Sequence, residues 1–387
     1  MADLRIEGSC DPRFERVRAA FAENFEKRNE YGASVAITID GKPVVDLWAG
    51  HSDKARTLPW NSDTIVNVFS TTKGLMSIAA HRLVDQGMLD LDAPVARYWP
   101  EFAQGGKGDV PVRQLMNHRA GLPAIRKKMA DDACYDWVAM TAALAAEQPW
   151  WVPGTKHGYH ALTMGWLVGE VIRRASGKTV GQYFRDEIAG PLGLDCHIGL
   201  DAQHDARCGQ MIASPPPPPG QVNLYQYSLD NPESVTAKAF FNPGTAMKLG
   251  AVNGRSWRGA EIPAANGHTN AHALARLYGA LARGGEVDGV RVLQPAAITR
   301  CSTEESAGVD EVLLIPTRFS TGFMLTQAHD PMGPNSRPFG HPGAGGSLGF
   351  ADPDAKIGFG YTMNKMGPYI LIDPRARVLI DALYASL

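Results

Sequence analysis

Phe69-Ser70-Thr71-Thr72-Lys73 opens a run in which Leu75, Ile78, Ala79, Leu83 and Val84 recur at helical spacing before Gly87. That pattern predicts a helix over Thr71 to Gly87 with Ser70 at its start. A serine there and a lysine three residues on share one helical face, their Cβ atoms about 5–6 Å apart, so hydroxyl and amine can share a hydrogen bond. The helix N-terminus adds partial positive charge and free N–H groups, which suit an oxyanion and disfavour a protonated lysine. The residues thus offer a serine nucleophile with a lysine base. Alone the spacing is weak, because a serine at a helix start is most often an N-cap.

Working outward, Asp11 to Lys27 carries Phe14, Val17, Ala20, Phe21 and Phe25 at helical spacing. Ala33 to Ile39 and Val44 to Ala49 read as two strands joined by the hairpin signal Asp40-Gly41. The chain is therefore expected to begin helix, strand, turn, strand. Beyond the Lys73 helix, Trp137 to Glu147 and Leu162 to Ala175 are helical patches joined by Gly/Pro-rich connections, and Pro215 to Pro219 reads as a stiff loop or flap. After a helix from Asn270 to Arg283, strands are expected over Phe319 to Thr326, Gly346 to Ala351 and Ile357 to Met363, with a final helix from Pro374 to Leu387. The expected fold is α/β of the α+β type: one antiparallel sheet built from both chain ends and flanked by helices, with a mainly helical domain inserted. Residues 1–80 and 266–387 would form the sheet-and-helix domain and 81–265 the insertion, with a cleft at their junction.

Two further segments complete a pattern with Ser70 and Lys73. One is the loop Pro153-Gly154-Thr155-Lys156-His157-Gly158-Tyr159-His160-Ala161. The other is His341-Pro342-Gly343-Ala344-Gly345-Gly346-Ser347, which leads into a strand. Ser-x-x-Lys, a Tyr about ninety residues on behind Pro-Gly, and a Gly-bearing strand near the C-terminus resemble, in that order, the three motifs of the serine β-lactamase and penicillin-binding-protein superfamily. The chain is most similar to its class C-like branch, which includes family VIII carboxylesterases, and Val112 to Leu122 resembles the segment after the lysine helix there. Two departures stand out. Tyr159-His160-Ala161 stands where family β-lactamases have Tyr-x-Asn, and His341-Pro342-Gly343 stands for Lys-Thr-Gly. Both resemble esterase members more than β-lactamases or peptidases.

The resemblance implies acyl transfer in two steps. Ser70 attacks an ester carbonyl, Lys73 or the Tyr159 phenolate takes its proton, and the backbone N–H groups of Ser70 and Ala344 meet the oxyanion. Tyr159 then protonates the leaving alkoxide, while His341 and Gly343 line the substrate position. Pro342 offers no N–H and is expected on an edge strand. The expected activity is hydrolysis of small carboxylic esters without metal or cofactor. Alternatives are an acyltransferase, amidase or weak β-lactamase with the same nucleophile, and a non-catalytic member that binds an acyl or peptide ligand.

Gly345-Gly346-Ser347-Leu348-Gly349 also matches G-x-S-x-G, but that elbow needs a helix after its serine, and the residues following Ser347 read as strand and turn. His118 and His160 could touch the site but read more readily as hydrogen-bonded core or surface groups, and His268 and His272 as ordinary helix-start residues. Trp150 and Trp151 suit either a substrate pocket or packing.

Composition narrows the rest. Of 387 residues, 44% are apolar and 20% charged, and 38 Lys+Arg against 40 Asp+Glu leave a net charge of -2, with no surplus to attract nucleic acid or a membrane surface. Five scattered cysteines and the absence of an apolar leader or span suggest free thiols and a cytoplasmic setting. The expected partner is a small-molecule ester; oligomeric state is not legible in the sequence.

Overall fold

A computed structural model describes residues 4–387, the side chains of residues 246 and 247 excepted. Among the described residues the largest sheet has nine strands, all drawn from the two ends of the chain. The first end supplies β1 (Ile6–Cys10), β2 (Gly32–Ile39) and β3 (Lys42–Gly50). The other supplies β4 (Ser306–Val309), β5 (Pro316–Phe319), β6 (Met324–Leu325), β7 (Phe339–Pro342), β8 (Leu348–Asp352) and β9 (Ile357–Met363). Their order is β1-β3-β2-β9-β8-β7-β6-β5-β4, with antiparallel pairing throughout. Asp40 and Gly41 turn β2 into β3 with φ of 49° and 79°, the paired positive values that a two-residue turn matched to strand twist requires. The ends meet where β2 pairs β9, from Ala33 opposite Met363 to Ile39 opposite Ile357.

Residues Gly32 to Thr38 are all buried, so β2 is covered on both faces. The helix α5 (Ala271–Ala282) packs across β2, β8 and β9, while α1 (Glu15–Lys27) packs against β1, β3 and α6 (Pro374–Tyr384). Between the two groups of strands lie α2 (Thr71–Asp85), α3 (Trp137–Ala146) and α4 (Thr163–Ser176). Every residue of α2 from Thr71 to His81 is buried, polar ones included. It is therefore a central helix packed on several sides, with α4 and β7 among its neighbours.

Several expectations need correction. The chain opens with a strand, β1, whose residues are mostly exposed and so lack the alternation that sequence reading relies on. Phe319 to Thr326 is not one strand. Gly322 at φ 96° turns the chain between β5 and β6, and α2 holds that turn, with Ser77 Oγ donating to Gly322 O at 2.8 Å and His81 Nε2 bonded to Thr321 O at 2.9 Å. His268 does not start a helix: His268–Thr269 is a two-residue strand between Val66–Asn67 and Cys196–His197, and α5 begins after the N-cap Asn270. Pro342 is not on an edge strand either, since β7 lies between β6 and β8. However, β6 is two residues long and reaches only Phe339 and Gly340. Gly343 N–H donates to Ser347 O, so by alternation the Pro342 nitrogen faces the side that β6 leaves open.

Candidate active site

Ser70 lies at the head of α2 but does not cap it; its side chain bonds no backbone N–H of the first turn. The preceding Phe69 has φ of 42°, a conformation strained for a bulky residue and characteristic of functional turns. The half-buried hydroxyl is left for other partners. Lys73 Nζ lies 3.1 Å from Ser70 Oγ, 2.7 Å from Ala161 O and 3.0 Å from Ala264 O. The lysine is fully buried, and burial pushes its pKa well below the ordinary value. A neutral amine has two N–H donors and one lone pair. The two carbonyls can only accept, so in the unprotonated lysine they would take both donors and turn the lone pair toward the Ser70 hydroxyl.

Tyr159 approaches from the far loop. Its ring centroid lies 4.6 Å from Lys73 Nζ, and its hydroxyl is near enough to the Ser70 side chain to feel it electrostatically. Burial raises the phenol pKa well above the ordinary value, an effect the Ser70 side chain offsets only in part. Burial thus favours the neutral form of both the phenol and the amine. Its loop is clasped from three sides. The buried Asp310 carboxylate accepts from Tyr159 N–H through Oδ1 at 2.9 Å, and the same oxygen accepts from Val312 and Leu313 N–H. His118 Nδ1 accepts from His160 N–H at 3.1 Å. His160 Nδ1 donates to Gly158 O at 2.7 Å while its Nε2 accepts from Leu122 N–H at 3.1 Å. Burial lowers the His160 pKa to about 3, so the ring stays neutral in this role.

The glycine-rich run passes on the other side. Gly343 to Gly346 form a turn closed by Gly346 N–H to Gly343 O at 3.0 Å, with Gly345 at φ 90°. Neither Ser70 N–H nor exposed Ala344 N–H donates to a protein group. Ser347 Oγ is buried and donates to Val68 O at 2.8 Å, with Thr71 Oγ1 at 3.2 Å, so it ties the run to the start of α2. That engagement, and the strand that follows it, account for the elbow-like motif. His341 Nδ1 donates to Pro342 O at 2.7 Å, which leaves Nε2 bare and buried without a partner. Its ring centroid is 5.9 Å from that of Tyr159, and burial first, then Lys73, lower its pKa to about 3.

Ser70, Lys73, Tyr159 and His341 therefore converge. The tryptophans stand behind them: Trp150 Nε1 donates to Ala124 O under the Arg126 guanidinium, and the Trp151 ring meets His160 edge-on. His118 and His160 are, as read, buried hydrogen-bonded groups; sequence reading missed Asp310 and the carbonyls of Ala161 and Ala264. No local signal marks them, because each acts on the site through contacts 88 to 191 residues away in the chain.

The family model described as Beta-lactamase matches residues 17–382. The chain belongs to this beta-lactamase family. It is 39% identical over 378 residues to the Esterase/beta-lactamase LipL of Mycobacterium tuberculosis, covering 96% of this chain and 86% of that one. Among solved structures, a family VIII carboxylesterase shares 42% identity at a TM-score of 0.89, covering 99% and 100% of the two chains. A penicillin-binding protein homolog from Caulobacter crescentus shares 41% at 0.91, with the same coverage. Among the described residues of this family member no helix is long and apolar enough to cross a membrane, and no three His, Cys, Asp or Glu side chains gather as a metal site.

Proposed function

We propose that this chain is a serine carboxylesterase that hydrolyses small, uncharged carboxylic esters through an acyl-enzyme on Ser70. The observation that carries the reading is the Lys73 amine, buried between two carbonyls with its Nζ 3.1 Å from the Ser70 hydroxyl. Ser70 Oγ attacks the ester carbon as its proton passes to Lys73 Nζ, and the Ser70 and Ala344 N–H groups receive the oxyanion. As the tetrahedral adduct collapses, the Tyr159 phenol gives its proton to the departing alkoxide, and protonated Lys73 restores it. Water then attacks the acyl carbonyl, losing its proton to the same pair, and Ser70 leaves as the hydroxyl.

The departures in the second and third motifs favour esters. Ala161 lacks the side-chain amide that a Tyr-x-Asn motif would bring to the site, and neutral His341 presents no cation to a substrate carboxylate. The esterase and carboxylesterase among its relatives support the same substrate class. Five unpaired cysteines support action in a reducing, cytoplasmic compartment.

Intact-mass analysis after exposure to an activated short-chain ester tests the reading. The adduct, or steady hydrolysis, is expected to survive Ser347→Ala and to vanish with Ser70→Ala. An adduct that persists in Ser70→Ala refutes it. Partition of the acyl group toward added amines or alcohols in preference to water would move the assignment to acyl transfer.

A further inference from the structure

The turn that carries Ala344 is tied to a charged cluster outside the site described above. Arg375, in the first turn of α6, is 4% exposed, and all five of its guanidinium N–H groups are engaged. Nε donates to Asp373 Oδ1 at 2.8 Å, and Nη1 to Glu30 Oε1 at 2.9 Å and Lys365 O at 2.8 Å. Nη2 donates to Asp373 Oδ2 at 3.0 Å and to Gly345 O at 2.9 Å. Glu30 and Asp373 are themselves buried, and Glu30 also accepts from the Tyr361 hydroxyl. Anchoring α6 does not require this. Buried ion clusters carry a large desolvation cost, and apolar side chains of similar volume commonly hold elements together as well.

The bond to Gly345 O has a consequence that anchoring lacks. In a trans peptide the C=O and the following N–H point in opposite directions within one rigid plane. Fixing Gly345 O therefore directs Gly346 N–H, which donates to Gly343 O at 3.0 Å. Fixing Gly343 O in turn directs Ala344 N–H, the next group in that plane. Two peptide planes thus link the guanidinium to a backbone donor that has no protein acceptor, and Gly367 N–H supports the first plane by donating to Gly345 O at 2.9 Å. With two carboxylates against one guanidinium, the cluster supplies direction rather than net positive charge.

We infer that Arg375 is a positioning residue for the oxyanion donor, aiming the Ala344 N–H through the Gly345 and Gly343 carbonyls. This rests on the proposed acyl-enzyme reading. Lysine cannot reproduce the five-donor fork, so Arg375→Lys is the informative substitution, and Tyr361→Phe is its control, removing a hydroxyl that touches Glu30 but no atom of the two peptide planes. For Arg375→Lys, kcat on a short-chain p-nitrophenyl ester is expected to fall about 10- to 100-fold, less than loss of an oxyanion donor outright, with KM within twofold. Affinity for a short alkyl boronic acid, whose tetrahedral adduct occupies the same hole, is expected to fall by the same factor. Tyr361→Phe is expected to lower the melting temperature and leave kcat within twofold. The inference is overturned if folded Arg375→Lys matches Tyr361→Phe in kcat, or if it loses kcat with boronate affinity unchanged. Should Arg375→Lys not fold, the paired change Glu30→Met with Arg375→Met removes one charge of each sign and is judged by the same two readouts. Boronate that adds to Ser70 in the parent but not in Ser70→Ala shows the underlying reading standing, whichever way the Arg375 comparison falls.

Discussion

Gly343→Ala tests whether the glycine-rich run must lie against the head of α2. A Cβ at this position would fall 2.2 Å from Val68 O, 2.2 Å from Ser347 Oγ and 3.0 Å from Thr71 Oγ1. Cβ atoms essentially never come within 3.0 Å of such neighbours, so the run must withdraw by about 0.8 Å or more. Ser347 can rotate aside at the loss of its bond to Val68 O, but Val68 O is main chain just before Phe69 and Ser70 and cannot yield without moving the nucleophile. Overpacking of this kind costs about 1–3 kcal/mol of stability. The displacement falls on Gly343 and Ala344, and a misplacement of roughly 1 Å at a reacting centre costs about 100-fold in rate. We expect kcat for p-nitrophenyl butyrate to drop about 100-fold with KM little changed, and urea unfolding to register the stability loss. Gly343→Ala combined with Ser347→Ala should not restore the rate, because only one of the two closest contacts is relieved. A folded Gly343→Ala enzyme within threefold of parental kcat, or a double variant that recovers activity, would refute the reasoning.

The remaining predictions concern titration and support of the site. Lys73 must be unprotonated to act and burial lowers its pKa, so kcat/KM should rise with pH through an ionisation below the ordinary lysine value of 10.5. Tyr159 must stay protonated and burial raises its pKa, so no alkaline decline should appear up to pH 10, its ordinary value; a pH–rate profile checks both. Lys73→Arg, locked in the charged form, should lose at least about 1,000-fold in kcat. His81 is buried neutral with its pKa lowered from 6.5 to about 4, so the unfolded chain takes the proton first as pH falls. Its stabilisation is complete above pH 6.5 and lost between 6.5 and 4; His81→Gln should flatten the stability difference between pH 7.5 and 5.5 by about 1.4 kcal/mol, measured by urea unfolding. Asp310→Ala strips one acceptor from three buried N–H groups, those of Tyr159, Val312 and Leu313. At about 1–3 kcal/mol for each unsatisfied donor, thermal unfolding should show a loss of at least about 3 kcal/mol, with kcat reduced as Tyr159 drifts.

Much of the molecule is written locally. The spacing of Ser70 and Lys73, the helical period that follows and the Asp40-Gly41 turn are each short-range patterns, and all three are realised in the fold. The order of the three motifs likewise pointed to the family that the comparisons establish. Where local pattern was absent or ambiguous, sequence reading failed: β1 shows no alternation, the β5–β6 turn is held by side chains of α2 240 or more residues earlier, and His268 joins a small sheet made from three separate segments.

Residue types and their short-range spacing were thus enough to single out a hydroxyl, an amine and a phenol and to name the chemistry they suit. Tertiary structure alone decided how each is held: which carbonyls take the amine's protons, how burial shifts amine and phenol in opposite directions, and which groups clasp the tyrosine loop. Those effects depend on desolvation and on hydrogen-bond partners far away in the chain. They exist only once the two ends have closed into one sheet around the buried helix.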